Sequence, residues 1–314
     1  MLRISNLHKY FHLKKRSVLK AVNGVDLEVH RGETLGLVGE SGCGKTTLGR
    51  TIVKLYKPDA GTIEYEGKEI WRQSRNEALE YRKKVQIIYQ DPYASLDPVS
   101  VVGTSIAEGL VIHKLCKSEA QRQKRVQELL EIVGLNPDHS SRFPHEFSGG
   151  QRQRIGIARA LAVEPQLVIC DEPISALDVS IQAQIVNLLM KMQKEMGLSY
   201  IFISHDLSMI KQISDRIAVM YLGNIVELAP ADTLYDNHRH PYTKALLSAI
   251  PIPDPDVERN RNRILLSGDV PSPINLPDIC SFSKRCPHAT DECLKTRPPL
   301  VEVASGHFVA CNNA

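Results

Sequence analysis

No stretch of this 314-residue sequence approaches the roughly 18 consecutive apolar residues needed to cross a bilayer, so no membrane-spanning helix is expected. The basic N-terminus, MLRISNLHKYFHLKKRSVLK, lacks the apolar segment of a signal peptide, and a cytosolic chain is expected. No internal repeat and no low-complexity tract is visible. Neither sign of charge dominates: Lys+Arg 39 against Asp+Glu 36 gives a net charge of +3. Charge alone therefore makes no case for nucleic acid, and no such partner is expected. Hydrophobic residues at 42% and charged residues at 24% lie near globular averages, which excludes a disordered or collagenous chain. At roughly 150 residues per domain, the length suggests one large domain plus a smaller one, or two of medium size. Such a chain can bury a sizeable core without covalent staples.

Close C-x2-C pairs and ferredoxin-type cysteine runs are lacking too. What is present is an uneven set of seven cysteines. Cys43, Cys116 and Cys170 are scattered, whereas Cys280, Cys286, Cys293 and Cys311 crowd into the last 35 residues. In a cytosolic chain such crowding points to metal rather than to disulfides. Four thiolates can complete a tetrahedral Zn²⁺ site or ligate an iron–sulfur cluster, and the spacing x5, x6, x17 leaves both open.

Three short apolar runs, Thr34 to Val38, Leu167 to Cys170 and Tyr200 to Ile203, each end in polar or glycine residues on the C-terminal side. That pattern suits a buried parallel sheet with ligands at its carboxyl edge. Ile181, Ile185, Leu188, Leu189, Met192 and Met196 form a helical stripe that packs on the sheet. Residues 91–165 show no strand signal and read as a helical insert, with an amphipathic helix from Gln121 to Val133. Beyond about residue 230 proline becomes dense (Pro251, Pro253, Pro255, Pro271, Pro273, Pro277), which marks a linker into a loop-rich tail.

Gly39-Glu-Ser41-Gly42-Cys43-Gly44-Lys45-Thr46 matches G-x-x-x-x-G-K-[ST] in full, after a strand and at the start of a helix. The glycines let the backbone turn tightly and bring its N–H groups to phosphate oxygens, and the helix adds its positive end. Lys45 should reach the β- and γ-phosphates, Thr46 should offer its hydroxyl to Mg²⁺, and Thr47 should lie near the α-phosphate. Cys43 reads as a tolerated small residue whose modification blocks nucleotide binding. Asp171, at the end of a buried strand, is placed to hold Mg²⁺ through water. Glu172, one residue further, is placed to take a proton from the attacking water. Ser148-Gly149-Gly150-Gln151 opens a second helix, with a hydroxyl and glycine amides at its N-terminus.

Together these motifs resemble the ATP-binding cassette family over about residues 1–230, with Phe147 standing where the signature has Leu. The resemblance implies an α/β P-loop NTPase core with a parallel sheet, an antiparallel β subdomain and a helical subdomain. Phe11 resembles the aromatic that stacks on adenine, with Tyr10 beside it as the alternative and core packing as a further possibility. Gln90 resembles the glutamine that contacts Mg²⁺ and the attacking water. Ser175-Ala176-Leu177-Asp178 resembles the loop that crosses to a partner subunit. His205 resembles the switch histidine at the γ-phosphate. Two such chains, alike or related, should form composite sites head to tail, the Ser148 helix of one facing the P-loop of the other.

This sequence has one cassette, an insert of ordinary length and no fused membrane domain. A separate pair of permease subunits is implied, an arrangement typical of importers. Glu227-Leu-Ala-Pro, His240-Pro241-Tyr242-Thr243-Lys244 and Ile250-Pro-Ile-Pro resemble the C-terminal extension of oligopeptide and dipeptide importer ATPases. Physically, the extension reads as a helix docking on the core through Ala245, Leu246, Leu247 and Ile250. The division expected is residues 1–230 for the ATPase and 231–314 for the extension. The text around Cys280, Cys286 and Cys293 resembles that of peptide-importer ATPases carrying a [4Fe-4S] cluster, with zinc as the alternative. The implied protein is peripheral on the inner membrane face and meets an extracytoplasmic peptide-binding protein only indirectly. Import of nickel or oligosaccharides, or a soluble role without transport, are the competing readings.

Overall fold

The computed structural model describes all residues except 15, 16, 176, 252, 253, 255–258, 260–262, 267 and 314. Pro253 and Pro255, the Ile252–Pro253 part of the Ile250 motif, and Ala176 therefore lie outside the described residues. The strands are β1 (Leu2–His12), β2 (Val18–Val29), β3 (Thr34–Val38), β4 (Ala60–Tyr65), β5 (Lys68–Glu69) and β6 (Val85–Ile88). They continue with β7 (Leu167–Asp171), β8 (Ser199–Ile203), β9 (Arg216–Tyr221), β10 (Asn224–Pro230), β11 (Val301–Ala304) and β12 (His307–Val309). The helices are α1 (Lys45–Ile52), α2 (Arg75–Lys84), α3 (Val102–Ile112), α4 (Glu119–Ile132), α5 (Gly149–Leu161), α6 (Val179–Met196), α7 (Leu207–Ile213), α8 (Ala231–Asn237) and α9 (Pro241–Ser248). No helix of the described residues is long and apolar enough to cross a membrane.

The chain forms two compact units, one of Met1–Glu28, Thr34–Gly67 and Ser204–Ala314, the other of Val29–Glu33 and Lys68–Ile203. In the first unit β2, β1 and β4 lie side by side, with β1 and β4 antiparallel. The same unit holds the strand order β11-β12-β10-β9-β3. Here β3 runs parallel to β9, and the remaining pairs are antiparallel. β3 is buried at every position, as a short apolar run in a sheet covered on both faces should be. The carboxylate of Asp215 accepts a hydrogen bond from the Thr34 amide at 2.7 Å, which fixes the strand's start.

The second unit is built on parallel β6, β7 and β8, in register from Val85 beside Leu167 and from Leu167 beside Ser199. β7 and β8 are likewise buried throughout. The helical insert contains α3, α4 and α5 and no strand among its described residues. α4 turns Val126, Leu129 and Leu130 inward, with Ser118 capping its first turn. On α6 the expected stripe is narrower than six residues. Ile185, Leu188, Leu189 and Met192 are buried, but Ile181 is half-buried and Met196 exposed. These two sit near opposite ends of the helix.

The tail has more regular structure than the expected loops. β12 pairs antiparallel with β10, setting Glu227 opposite Val309, and β11 pairs with β12. Phe282 is fully buried against Tyr221 and Tyr242. On α9 the buried positions are Tyr242, Thr243, Ala245 and Leu247. Of the face expected from sequence, Leu246 and Ile250 are only half-buried. Ala245 and Leu247 pack as expected, and Tyr242 and Thr243 in the first turn add to them.

Candidate functional site

The glycine-rich loop joins β3 to α1 in the first unit. Gly39 adopts φ +152° and Gly44 φ +109°, regions closed to most side chains. A Cβ on Gly39 would strike the Met220 carbonyl oxygen, and one on Gly44 the Ala21 carbonyl oxygen. Neighbouring backbone thus presses the loop into its shape from two sides. Lys45 is buried, and its Nζ donates to the carbonyls of Gly39 at 2.7 Å and Glu40 at 3.1 Å. Cys43 is 3% exposed, and burial pushes its thiol pKa up despite the ammonium of Lys45 beside it. Thr46 and Thr47 follow in the first turn of α1.

Phe11, on β1, packs edge-on against Tyr56 with ring centroids 5.5 Å apart, and the Lys9 ammonium stands 5.3 Å from its ring. Tyr10 is committed elsewhere: its hydroxyl donates to Asn23 Oδ1 at 2.7 Å. Of the two aromatics, Phe11 keeps the ring with no polar tie. His205 is exposed between β8 and α7 and belongs to the same unit as the glycine-rich loop. Asp206 beside it caps α7, accepting from the Ser208 and Met209 amides.

The second unit carries the acidic pair. Asp171 ends β7 with 1% exposure. Glu172 follows at φ +47°, a left-handed conformation that costs free energy in any residue but glycine. Its amide donates to the Ile203 carbonyl at 3.0 Å, which holds the strained turn against β8. Gln90 follows β6, and its Nε2 donates to Glu172 Oε2 at 2.9 Å. Two sequence-predicted residues 82 positions apart are thus brought into contact.

Ser148 caps α5 in a capping box: its Oγ accepts from the Gln151 amide at 3.3 Å, and Gln151 Oε1 accepts from the Ser148 amide at 2.9 Å. Phe147 is buried and packs edge-on against His139, which accounts for a ring where an aliphatic side chain would also serve. Asp178 is exposed and heads α6, its carbonyl accepting from the Ile181 and Gln182 amides.

In the tail, burial pushes Cys280 up to about 11, with smaller contributions from Cys293, Cys311 and Cys286. Cys286 is raised for the same reasons, and Cys311 by burial with Cys293 nearby. The Asn313 amide donates to Cys311 Sγ at 3.4 Å. No group of three or more His, Cys, Asp or Glu among the described residues is arranged to hold a metal ion.

Contacts to the glycine-rich loop also come from positions that sequence spacing does not reveal. The Glu40 amide donates to Tyr242 Oη at 2.9 Å, and Arg285 Nη1 lies 2.9 Å from a Glu40 carboxylate oxygen. Tyr242 stands in the motif quoted above, where nothing marks it as a contact to the loop. A second buried pair, His307 Nε2 donating to Glu227 Oε1 at 2.8 Å, ties β12 to β10.

A P-loop before α1, a carboxylate pair closing a buried strand and a capped glycine helix define an ATP-binding cassette ATPase. The ABC transporter family matches residues 22–175, and the oligopeptide/dipeptide transporter C-terminal region matches residues 226–293. The oligopeptide transport ATP-binding protein OppF of Bacillus subtilis is 56% identical over 315 residues, covering 100% of this chain and 97% of that protein. OppF of Escherichia coli is 52% identical, covering 99% of this chain and 95% of that one. A solved dimeric ATP-binding cassette in a post-hydrolysis state, bound to ADP and Pi, superposes with a TM-score of 0.67 at 27% identity. It covers 74% of this chain and 99% of its own. The chain belongs to the family of oligopeptide transport ATP-binding proteins.

Proposed function

We infer that this chain hydrolyses ATP to power peptide uptake through a separate membrane permease. The observation that carries the reading is similarity along the whole chain, which takes in the C-terminal region of oligopeptide and dipeptide transporters as well as the cassette. That extent of match favours peptides over nickel or oligosaccharides.

Lys45 and the loop amides from Gly39 to Thr47, including Ser41 and Gly42, bind the phosphates, and Phe11 stacks on the base. Thr46, Asp171 and Gln90 supply the hard oxygen donors that suit Mg²⁺. When bound, that ion neutralises charge on the transferred phosphoryl group. Glu172 takes the proton of the attacking water, whose oxygen bonds the γ-phosphorus as the bond to ADP breaks. Gln90 orients that water, and the strained φ of Glu172 keeps the carboxylate turned toward Gln90. His205 donates to the γ-phosphate. Ser148, Gly149, Gly150 and Gln151 serve the γ-phosphate of a second ATPase subunit, and Asp178 meets that subunit. One chain alone is therefore nearly inactive.

The protein works at the inner membrane face with two permease subunits, and with a peptide-binding protein only through them. The ATPase portion ends near residue 230, with residues 91–165 as its helical part. Cys280, Cys286, Cys293 and Cys311 hold a [4Fe-4S] cluster with a structural role. Zinc is the alternative. The cluster is preferred on the resemblance of the text around Cys280, Cys286 and Cys293, because no group of three or more His, Cys, Asp or Glu among the described residues is arranged to hold a metal ion of either kind. Anaerobic protein should be brown and contain iron and sulfide, and stoichiometric zinc without iron would refute the cluster.

The decisive test of function is co-purification with two polytopic permeases and stimulation of ATP turnover by them, with ATP-dependent peptide uptake in vesicles. Turnover indifferent to the permeases, without uptake, would overturn the reading.

A further inference from the structure

Glu40, the second residue of the glycine-rich loop, is held at three points. Its carbonyl accepts from Lys45 Nζ at 3.1 Å. Its amide donates to Tyr242 Oη at 2.9 Å. Its carboxylate accepts from Arg285 Nη1 at 2.9 and 3.2 Å. The last two partners come from beyond residue 230, and both are firmly seated. Tyr242 is fully buried, with its ring 4.6 Å from Tyr221 and 5.5 Å from Phe282. Arg285 is 9% exposed, its amide donates to the Phe282 carbonyl at 3.0 Å, and Nη1 also reaches Tyr221 Oη at 3.4 Å.

An exposed salt bridge in this place would mean little. A guanidinium removed from water is costly unless paired, and here its pair is a carboxylate of the phosphate loop itself. Docking the tail does not need that charge, because Phe282 already supplies an apolar anchor. What the charge adds is a fixed place for Glu40. The carbonyls of Gly39 and Glu40 seat the Lys45 ammonium, so the place of Glu40 helps decide where that ammonium stands.

We propose that Arg285 and Tyr242 are positioning residues of the P-loop, and that through them the C-terminal segment sets nucleotide affinity. The inference rests on the ATP-binding reading above. Neither residue touches nucleotide. Both act through Glu40, by holding the loop in its binding shape before the ligand arrives.

The test is equilibrium binding of MgADP to the full-length chain by titration calorimetry, with the thermal midpoint of each nucleotide-free variant measured alongside. Arg285→Met is expected to weaken binding about five- to tenfold, the loss of one charge-assisted contact. Arg285→Lys should recover part of that loss, since it keeps the charge without the fork. Tyr242→Phe removes the partner of the Glu40 amide and should weaken binding about threefold. His307→Gln loosens the tail at β12 and should lower the midpoint while leaving affinity within about twofold. Wild-type affinity in Arg285→Lys, Arg285→Met and Tyr242→Phe overturns the proposal. So does equal weakening by His307→Gln, because any loosening of the tail would then suffice. Failure of the wild-type chain to bind nucleotide would instead overturn the ATP-binding reading itself.

Discussion

Replacing Glu172 by Gln separates binding from chemistry more cleanly than any other single change in this chain. The side chain keeps its length and branching, so the left-handed turn at φ +47° bears the same strain in both proteins. Gln90 Nε2 donates to Glu172 Oε2 at 2.9 Å, and an amide oxygen turned the same way accepts that bond equally. Fold stability should therefore change by less than about 1 kcal/mol. What disappears is the basic oxygen. A positioned general base contributes about 10²- to 10⁴-fold, equivalent to roughly 3–5 kcal/mol of barrier. The variant should bind MgATP with wild-type affinity and turn over at least about a hundredfold more slowly. The assay is steady-state phosphate release by the complex assembled with its permeases, beside nucleotide titration of the same preparation. Turnover within about tenfold of wild type, with binding intact, would refute the assignment of the base.

Three further outcomes follow from the geometry. Cys43 is buried with its thiol pKa raised, so maleimide labelling at neutral pH should be slow, should speed up as pH rises, and should abolish nucleotide binding; labelled protein that binds normally would contradict this. Gly44→Ala sets a Cβ against the Ala21 carbonyl at φ +109°, and should cost about 2 kcal/mol or more in denaturant unfolding while removing nucleotide binding. Burial pushes the His240 ring down to about 3. Between that pH and 6.5 the unfolded chain binds the extra proton, so stability falls as pH drops, by up to about 1.4 kcal/mol per unit. His240→Asn, which keeps an acceptor for the Tyr242 amide, should flatten that slope in thermal melts.

The residues of β3, β7 and β8 are legible in sequence because each strand is buried on both faces and reads as an unbroken apolar run. α4 is legible for a different reason: its apolar residues keep helical spacing behind a serine cap. The glycine-rich loop is legible because Gly39 and Gly44 are required by contacts that no side chain could survive. β11 is not, since it is only four residues long and exposed throughout, so a short Val-Glu-Val alternation marks no buried face. It exists because β12 offers it an edge, and β12 because β10 offers another. The bond between Gln90 and Glu172 spans 82 positions and that between Arg285 and Glu40 spans 245. Side chains so far apart meet only through the path of the chain, which local pattern does not record.

The attachment of the tail is polar where it is deepest. Glu227 and His307 are both buried, and Glu227 also accepts from the Arg239 and His240 amides at 2.7 and 3.1 Å. An apolar interface of the same area would tolerate small rotations, whereas buried donors and acceptors accept only the geometry that satisfies them all. Loss of His307 would leave the buried Glu227 carboxylate with the two amides alone, a change of about 1–3 kcal/mol. β12 is therefore held on β10 in one orientation, while Arg285 reaches Glu40 from its own seat against Phe282 and Tyr221. Position matters here because the loop that Arg285 reaches must present its amides to phosphate with little freedom to move. Arg285 and Tyr242, each seated by buried neighbours of its own, can pass that position to the loop even where β12 is loosened.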